Sequence, residues 1–176
     1  MTPSIECFKN LMRLWPTGVS VITTIDDTGK KYGFTANSFT SVSLDPMLVS
    51  FCITKTSPTL LKLEQSQKFV ISILSDKQED LAKTFATPLA DKFLNIRYKE
   101  CYNTKCPYLE DSLGWIECTT KFQYPGGDHD IFIGEVISIF IDNKKLPLIY
   151  LDRKFRRNDS NTTEKIYPTL SSQNLA

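Results

Sequence analysis

The stretch Gly33–Pro46 combines hydroxyl and amide side chains with apolar ones. It reads GFTANSFTSVSLDP, so that Phe34, Phe39, Val42 and Leu44 recur between small polar residues. Hydroxyls, a side-chain amide and exposed backbone N–H groups can bond a polar ligand while neighbouring aromatic rings shield it. The stretch therefore predicts a ligand-lining segment. The alternative is a structural crossover that happens to be rich in serine and threonine.

A second candidate lies at Ser57-Pro58, which is expected to open a short helix. Serine is a favoured N-cap and proline fits the first helical position. The unpaired N–H groups of a first helical turn can hold a phosphate, and Lys55, Thr56 and Thr59 add donors there. The alternative is an ordinary capped helix without a ligand.

His129 is the only histidine in the chain and ends the sequence Gly126-Gly-Asp-His129. The segment is expected to be a turn between two strands, where an imidazole can meet a ligand. One histidine without a second ligand cannot hold a metal, so no metal site is predicted. A structural hydrogen-bonding role is the alternative. A serine hydrolase is not favoured, because the chain has no G-x-S-x-G motif.

Composition excludes several classes of protein. The chain has 176 residues and a mass of 20.1 kDa, which suits a single domain. Its 21 Lys and Arg residues against 20 Asp and Glu give a net charge of +1, so binding of nucleic acid or a membrane surface by bulk charge is not expected. No apolar run reaches the roughly 18–20 residues of a membrane span. The glycine patterns of dinucleotide folds and phosphate loops are also absent from the sequence.

Cysteine usage suggests a reducing compartment. The five cysteines are an odd number, and no secretory signal is visible at Met1. We therefore expect a cytoplasmic location and no disulfide framework. Cys101 and Cys106 lie close in sequence without a nearby Cys or His pair, which predicts buried or loop thiols rather than a zinc site.

Periodicity predicts several strands and few helices. Apolar residues at helical spacing predict a first helix with one apolar face, and Ser75 with Gln78 has the spacing of a capping box before a later helix. Alternating or fully apolar runs predict strands, and residues 88–112 carry no clear pattern. The predicted helices are 5–15, one after Ser57 and one after Gln78, and the predicted strands are 18–25, 32–37, 48–53, 69–74, 115–122, 131–141 and 148–151. These elements favour a mainly β, mostly antiparallel barrel or sandwich with peripheral α-helices.

Four motifs in order resemble the flavin reductase-like domain family, with similarity from about residue 8 to residue 155. The motifs are GVSVITT at 18–24, GFTANSFTSVSLDP at 33–46, FVISILS at 69–75 with Gln78, and GDH at 127–129 followed by IGEV at 133–136. The resemblance implies a split β-barrel of the Greek-key, FMN-binding type, in a homodimer that binds FMN or FAD without a covalent link near the subunit interface. It also implies hydride transfer from NADH or NADPH to the flavin, and a flavin-dependent monooxygenase as partner.

The same resemblance implies cofactor contacts residue by residue. Thr35, Ala36, Asn37 and Ser38 would line the ribityl and phosphate side, Ser41, Val42 and Ser43 the polar edge of the ring, and Ser50, Phe51 and Cys52 the ring through main-chain groups. Ser57 and Thr59 would contact the phosphate, Phe85 and Lys92 would lie near the flavin, His129 would orient the nicotinamide, and Tyr150 would lie near that pocket. No residue is expected to act as a nucleophile. The chain departs from the family at Met47, which follows Pro46, and at Asp152-Arg-Lys-Phe155, where a glycine turn and a tyrosine are usual.

Two other functions stay open at this point. One is a flavin-binding protein without turnover, such as a sensor or carrier. The other is a split-barrel oxidase of a small phosphorylated substrate, which the single histidine and few arginines make less suitable. The predicted domain covers residues 1–158, and residues 159–176 are predicted to be a flexible tail.

Overall fold

A computed structural model describes residues 3–88 and 91–156 of the chain. The predicted tail at 159–176 lies outside these residues. Within them the helices are α1 (Ile5–Met12), α2 (Leu60–Ser66) and α3 (Glu79–Ala86). The strands are β1 (Thr17–Gly18), β2 (Ser20–Ile25), β3 (Lys31–Ala36), β4 (Thr40–Leu44), β5 (Met47–Thr54), β6 (Lys68–Ile73), β7 (Tyr98–Glu100), β8 (Pro107–Leu109), β9 (Gly114–Gly126), β10 (His129–Ile141), β11 (Ile149–Leu151) and β12 (Lys154–Arg156).

Seven strands form one antiparallel sheet in the order β3-β2-β6-β9-β10-β5-β4. The two edge strands, β3 and β4, follow each other in the chain and are joined only by residues 37–39. This short link brings opposite edges of the sheet together without pairing them. The sheet therefore curls into an open, split barrel, and the predicted fold class is confirmed.

Three phenylalanine rings in mutual contact form the centre of the barrel. The ring of Phe51 lies parallel to that of Phe132, with centroids 5.3 Å apart, and meets Phe69 edge-on at 5.0 Å. All three side chains are buried. Because side chains alternate along a strand, Ser50 and Cys52 point to the opposite face of β5 and remain partly exposed. Burial therefore alternates along β5, although the run 48–53 is almost wholly apolar in sequence.

Helix α2 begins later than its sequence predicts. Its first residue is Leu60, and the N-cap position is held by Thr59 without a side-chain hydrogen bond. Ser57 lies before the helix, where its Oγ accepts a hydrogen bond from the backbone N–H of Thr59 at 3.3 Å. The serine thus orders the approach to the helix and is not its cap.

The predicted capping box before α3 forms only in part. The side-chain Oε1 of Gln78 accepts from the backbone N–H of Ser75 at 3.0 Å, as predicted. The Ser75 hydroxyl, however, donates to the carbonyl of Asp111 at 3.0 Å. A tertiary partner has taken the serine side chain, because the 107–112 segment packs directly against this turn.

The unassigned stretch 88–112 contains a two-stranded ribbon of β7 and β8. Its turn is closed by a hydrogen bond from the Cys101 N–H to the Cys106 carbonyl at 3.0 Å. Both cysteines are free and buried against Val70, which confirms the prediction of buried thiols.

The apolar face of α1 does not join the core. Ile5, Phe8, Leu11 and Trp15 are between 62% and 76% exposed, and no residue of α1 is buried. The sequence predicted the helix and its apolar face, but α1 ends at Met12 and not near Trp15, and the apolar side chains stay largely exposed. Among the described residues, no helix is long and apolar enough to cross a membrane.

Candidate functional site

Two clefts open at the split in the barrel and share one wall. The first cleft has a volume of about 980 Å³ and is bounded by α1, β1 and the β11–β12 hairpin. The second cleft has a volume of about 810 Å³ and is bounded by β3, the start of α2 and the end of α3. Asn37, Ser38, Cys52 and His129 line both clefts. We call these four residues the ridge.

The ridge exists because β4 separates from β5. The two strands pair only as far as Thr40 and Ser50, so the outer edge of β5 has no strand partner at Cys52. The Ser38 hydroxyl takes that place: it accepts from the Cys52 N–H at 2.9 Å and lies 3.3 Å from the Cys52 carbonyl. Asn37 and Ser38 remain exposed, so the ridge presents polar groups to both clefts.

His129 is the first residue of β10, and a tight turn holds it at the ridge. Gly127 has a φ of 72°, a left-handed conformation that glycine adopts without strain. The Nδ1 atom of His129 lies 2.7 Å from Asp128 Oδ1, and this hydrogen bond lowers the pKa of the Asp128 carboxyl. With Nδ1–H donated to Asp128, Nε2 is the ring atom left for a ligand.

The Lys55 side chain fastens this turn to the neighbouring strand end. Its Nζ donates to the Gly127 carbonyl at 2.7 Å, and its backbone N–H donates to the Asp128 carbonyl at 3.0 Å. The lysine that sequence analysis placed beside the phosphate thus serves the histidine turn.

A partly buried cation lies in the second cleft. The Lys92 ammonium donates to the carbonyls of Phe85 at 2.8 Å and Gly33 at 3.1 Å, and burial lowers its pKa. A Cβ at Gly33 would lie 2.8 Å from the Phe85 ring, so glycine is needed for this close approach. These two hydrogen bonds use two of the three ammonium protons, and the Lys92 side chain lines the second cleft.

Most of the predicted cofactor contacts meet at the two clefts. Those that line the second cleft beside the ridge are Thr35, Ala36, Ser57, Phe85 and Lys92, and Tyr150 lines the first. The Thr35 hydroxyl is already engaged, because it donates to the Ala82 carbonyl at 2.6 Å. Their contacts with a flavin stay predictions.

The other predicted contacts lie elsewhere. Ser41, Val42 and Ser43 stand on edge strand β4, outside both clefts. Thr59 is buried and Phe51 points into the core, while Ser50 lies on the outer face of the sheet. These six side chains line neither cleft. The contacts predicted for Ser50 and Phe51 are main-chain contacts, which the direction of a side chain does not test, so all six stay predictions.

Sequence analysis missed the residues that close the first cleft from outside. Phe8 and Met12 of α1 line it, as do Arg13, Trp15 and Asp152. The helical spacing of the apolar residues predicted a helix with one apolar face, but no role in a site was assigned to that face. The ion pair between Arg13 and Asp152 joins residues far apart in sequence and left no local trace there.

A third cleft, of about 620 Å³, lies at the start of α3. Its charged side chains neutralise one another: Arg97 pairs with Glu110 at 3.0 Å, and Lys145 with Asp111 at 3.5 Å. These ion pairs leave no unpaired charge among the four side chains, and we assign this cleft no function.

Comparison with known proteins identifies the relatives of this chain. The sequence model of one protein family, the flavin reductase like domain, matches residues 12–159. The chain is 36% identical over 145 residues to a flavin reductase of Pseudomonas putida, covering 82% of this chain and 85% of that protein. It is 36% identical over 148 residues to the NADPH flavin reductase of Lentzea aerocolonigenes, covering 84% and 86%.

Solved structures give the same result. The NADH:FAD oxidoreductase SgcE6 of Streptomyces globisporus superposes with a TM-score of 0.84 at 32% identity, covering 90% of this chain and 96% of that one. Some relatives are longer: the chain spans 42% of a probable flavin reductase of Rhizobium meliloti. The family match covers every described strand, and it covers both clefts except for Phe8 and Lys9. The chain therefore belongs to the flavin reductase like domain family, and it is an oxidoreductase of the flavin reductase class.

Proposed function

We propose that the protein binds FMN or FAD across the ridge and reduces it with NADH or NADPH. The observation that carries this proposal is the ridge itself, where exposed polar groups separate two connected clefts. Each cleft falls within the roughly 300–1,000 Å³ that is typical of small-molecule sites. In the proposed arrangement the flavin phosphate lies in the second cleft and the tricyclic ring in the first.

The side chains of the two clefts suit the two ends of a flavin nucleotide. The second cleft offers the Lys92 ammonium and the Ser57 hydroxyl, which can bond a phosphate. The first offers the apolar surfaces of Phe8, Trp15 and Ile131, against which a flat ring can pack. The residues present therefore fit a flavin without a covalent link.

A bound flavin supplies the redox chemistry, by accepting a hydride from the nicotinamide. The chain's own residues bind and orient the two reactants, because no nucleophile is needed. Asn37 and Ser38 hold the polar side of the flavin, and His129 Nε2 orients the nicotinamide or its ribose. The α1 side chains cover the first cleft and keep water from the reacting faces.

We further propose that the reduced flavin serves a partner monooxygenase. Relatives named as reductase components support this, among them the reductase component of a trigonelline monooxygenase in Acinetobacter baylyi, 42% identical over 121 residues.

A cytoplasmic location fits the five free cysteines, which suit a reducing compartment.

The test is to purify the protein and record NADH and NADPH oxidation with no flavin, with FMN and with FAD. Flavin-dependent oxidation supports the proposal. A protein that binds flavin tightly but oxidises neither nucleotide would instead be the non-catalytic flavin carrier. No binding and no oxidation with either flavin would refute the site as well.

We also propose that the protein is a homodimer whose interface adjoins the first cleft. On the outer face of the sheet, Tyr124 pairs with Ile131, and Phe122 with Ile133. Phe122 and Tyr124 are 46% and 50% exposed. On the other side, Ile131 and Ile133 pair with Cys52 and Ser50, where the apolar face ends at the ridge. An apolar face of this kind on a small protein marks an interaction surface, and here it runs directly into the ridge.

Light scattering on a size-exclusion column tests the dimer. The wild type should have about twice the mass of one chain, and Phe122→Asp should shift it to the monomer. Met47 is also exposed but lies at the far end of β5, so Met47→Gln is a control that should stay dimeric. A monomeric wild type at micromolar concentration would reject the proposal.

A further inference from the structure

Resting on the proposed function, we propose that Lys9 and Arg153 form a binding site for the diphosphate of a dinucleotide at the margin of the first cleft. Both residues line this cleft and both are exposed. They therefore lie where the cleft opens to solvent, beyond the ring-binding surface of α1. Neither residue had a role in the site described above.

The two side chains come from elements that are tied together. The Arg13 guanidinium contacts Asp152 Oδ1 through Nε at 3.0 Å and Nη2 at 2.7 Å, and the Asp152 N–H donates to the Arg13 carbonyl at 3.0 Å. Lys9 is one helical turn before Arg13 and shares its face of α1. Arg153 directly follows Asp152, so the same contact brings both cations to one margin.

The hairpin that carries Arg153 is a short and well-defined turn. Asp152 and Arg153 both have positive φ values, of 49° and 59°, and connect paired strands β11 and β12. Positive φ at both central positions is the pattern of a type I′ turn, which matches the twist of a hairpin. The base of the Arg153 side chain is thereby fixed relative to the cleft.

The charge of this margin is positive. Among the described residues lining the first cleft, Asp152 is the one acid, and Arg13 engages it. Lys9 and Arg153 are left as a surplus of two positive charges. A diphosphate carries matching negative charge, and a guanidinium can bond two of its oxygens at once.

In the proposed arrangement the nicotinamide co-substrate supplies that diphosphate, because the phosphate of the flavin lies in the second cleft. FAD is the competing source, which the test separates. Both place a diphosphate between a redox ring and an adenosine, so their shared chemistry is what the pair would recognise. FMN and reduced nicotinamide riboside lack a diphosphate and serve as matched probes. Comparing the two members of each pair shows which dinucleotide uses the site.

The experiment compares Lys9→Glu and Arg153→Glu with the wild type and with Lys154→Glu. Lys154 lies on the same hairpin and is exposed, but it does not line the cleft. If the co-substrate uses the site, each of the first two variants should raise KM for NADH about tenfold, the loss expected from one charged hydrogen-bonding partner. KM for reduced nicotinamide riboside and the Kd of FMN should stay within twofold.

If FAD uses the site, the same variants should weaken FAD binding about tenfold relative to FMN. Unchanged KM for NADH together with unchanged FAD affinity would overturn the proposal. So would an equal effect of Lys154→Glu, since that would indicate bulk charge alone. Arg153→Gln provides a milder change if the charge reversal disturbs folding, which thermal denaturation checks.

Failure of the proposed function has a different outcome. A wild type that oxidises no nicotinamide with any flavin would remove the catalytic role. The difference between FAD and FMN binding, measured by quenching of flavin fluorescence, would still decide whether Lys9 and Arg153 bind a diphosphate.

Discussion

Polar side chains gather in two regions of this molecule, the ridge and the surroundings of Glu117. At the ridge, Asn37 and Ser38 are exposed and line two clefts. Glu117 is only 1% exposed. Its carboxylate accepts hydrogen bonds from the Thr104 N–H at 2.7 Å, the Thr104 hydroxyl at 2.8 Å and the Asn103 amide at 2.9 Å.

The difference separates a ligand site from a structural network. A buried charge must be satisfied by fixed partners, and Glu117 uses its bonds to hold the Cys101–Cys106 turn against the sheet. The polar groups of the ridge keep bonding capacity that faces open space. Local composition does not distinguish the two regions, since both are rich in threonine, serine or asparagine. The two regions differ in how exposed their polar side chains are and in how many fixed hydrogen-bond partners those side chains have.

The largest expected effect is on stability, at Glu117. Glu117→Ala leaves the Thr104 and Asn103 donors buried without their acceptor, so the free energy of unfolding should fall by about 3 kcal/mol. Urea denaturation measures this. Glu135→Ala removes only the exposed partner of Lys121 and should cost below about 1 kcal/mol. If Glu117→Ala instead kept full stability and weakened flavin binding, the contrast between the regions would be wrong.

The hydrogen bonds around Glu117 should also affect how the free energy of unfolding depends on pH. Burial by itself raises the pKa of Glu117, but the hydrogen bonds from Asn103 and Thr104 outweigh it and the pKa lies below its usual 4.5. The carboxylate therefore stabilises the fold fully above about 4.5, and this contribution is lost as the pH falls through the lower folded-state pKa. Glu117→Gln should flatten the decline in unfolding free energy over that range, relative to the wild type.

The second effect should appear in flavin affinity, at Lys92. Lys92→Met removes the cation of the second cleft, and the Kd of the flavin should rise about tenfold, as expected for one charge-assisted bond to a phosphate. Fluorescence quenching of the flavin measures it. Lys92→Arg keeps the charge and should recover part of the affinity, while Lys99→Met, on the exposed ribbon, is the matched control. Equal affinity in Lys92→Met and wild type would remove the phosphate from this cleft.

A smaller effect is expected at His129. Loss of one neutral hydrogen bond in His129→Ala should raise KM for the nicotinamide nucleotide about fivefold. The Kd of the flavin should change less than twofold. Steady-state kinetics and a flavin titration on the same preparation separate the two constants. The opposite split, with flavin affinity affected most, would show that the histidine serves the flavin and not the co-substrate.

The smallest expected effect is a difference in reactivity between the buried and the accessible thiols. Burial raises the pKa of Cys101 and of Cys118 to about 12, and Cys106 is also buried. These thiols should stay unlabelled by iodoacetamide in the native protein at neutral pH. Cys7 and Cys52 are accessible and should react. Added flavin should protect Cys52 at the ridge, but not Cys7, as mass spectrometry of the labelled peptides would show.

Several features followed from the sequence alone because they depend on local patterns. Alternating and apolar runs predicted seven of the twelve strands and missed the short ones β1, β7, β8 and β12, as well as β4. The small polar stretch after Gly33 predicted a ligand-lining segment, part of which forms the ridge. The GDH motif predicted a turn at His129, and the structure has that turn at Gly127 and Asp128, with His129 as the first residue of β10. These are interactions between residues close in the chain, or preferences of single residues, so the chain records them directly.

Other features were decided only by the tertiary structure. Whether the apolar face of α1 is buried depends on what lies next to it, and Arg13 meets Asp152 across 139 positions of sequence. Strand β4 pairs with β5 only as far as Thr40 and Ser50, which leaves the backbone of Cys52 to Ser38. The sequence by itself determined which elements form and which residue types could bind a flavin. Only the curling of the sheet, a long-range balance of packing and pairing, decided which of those residues meet at the split.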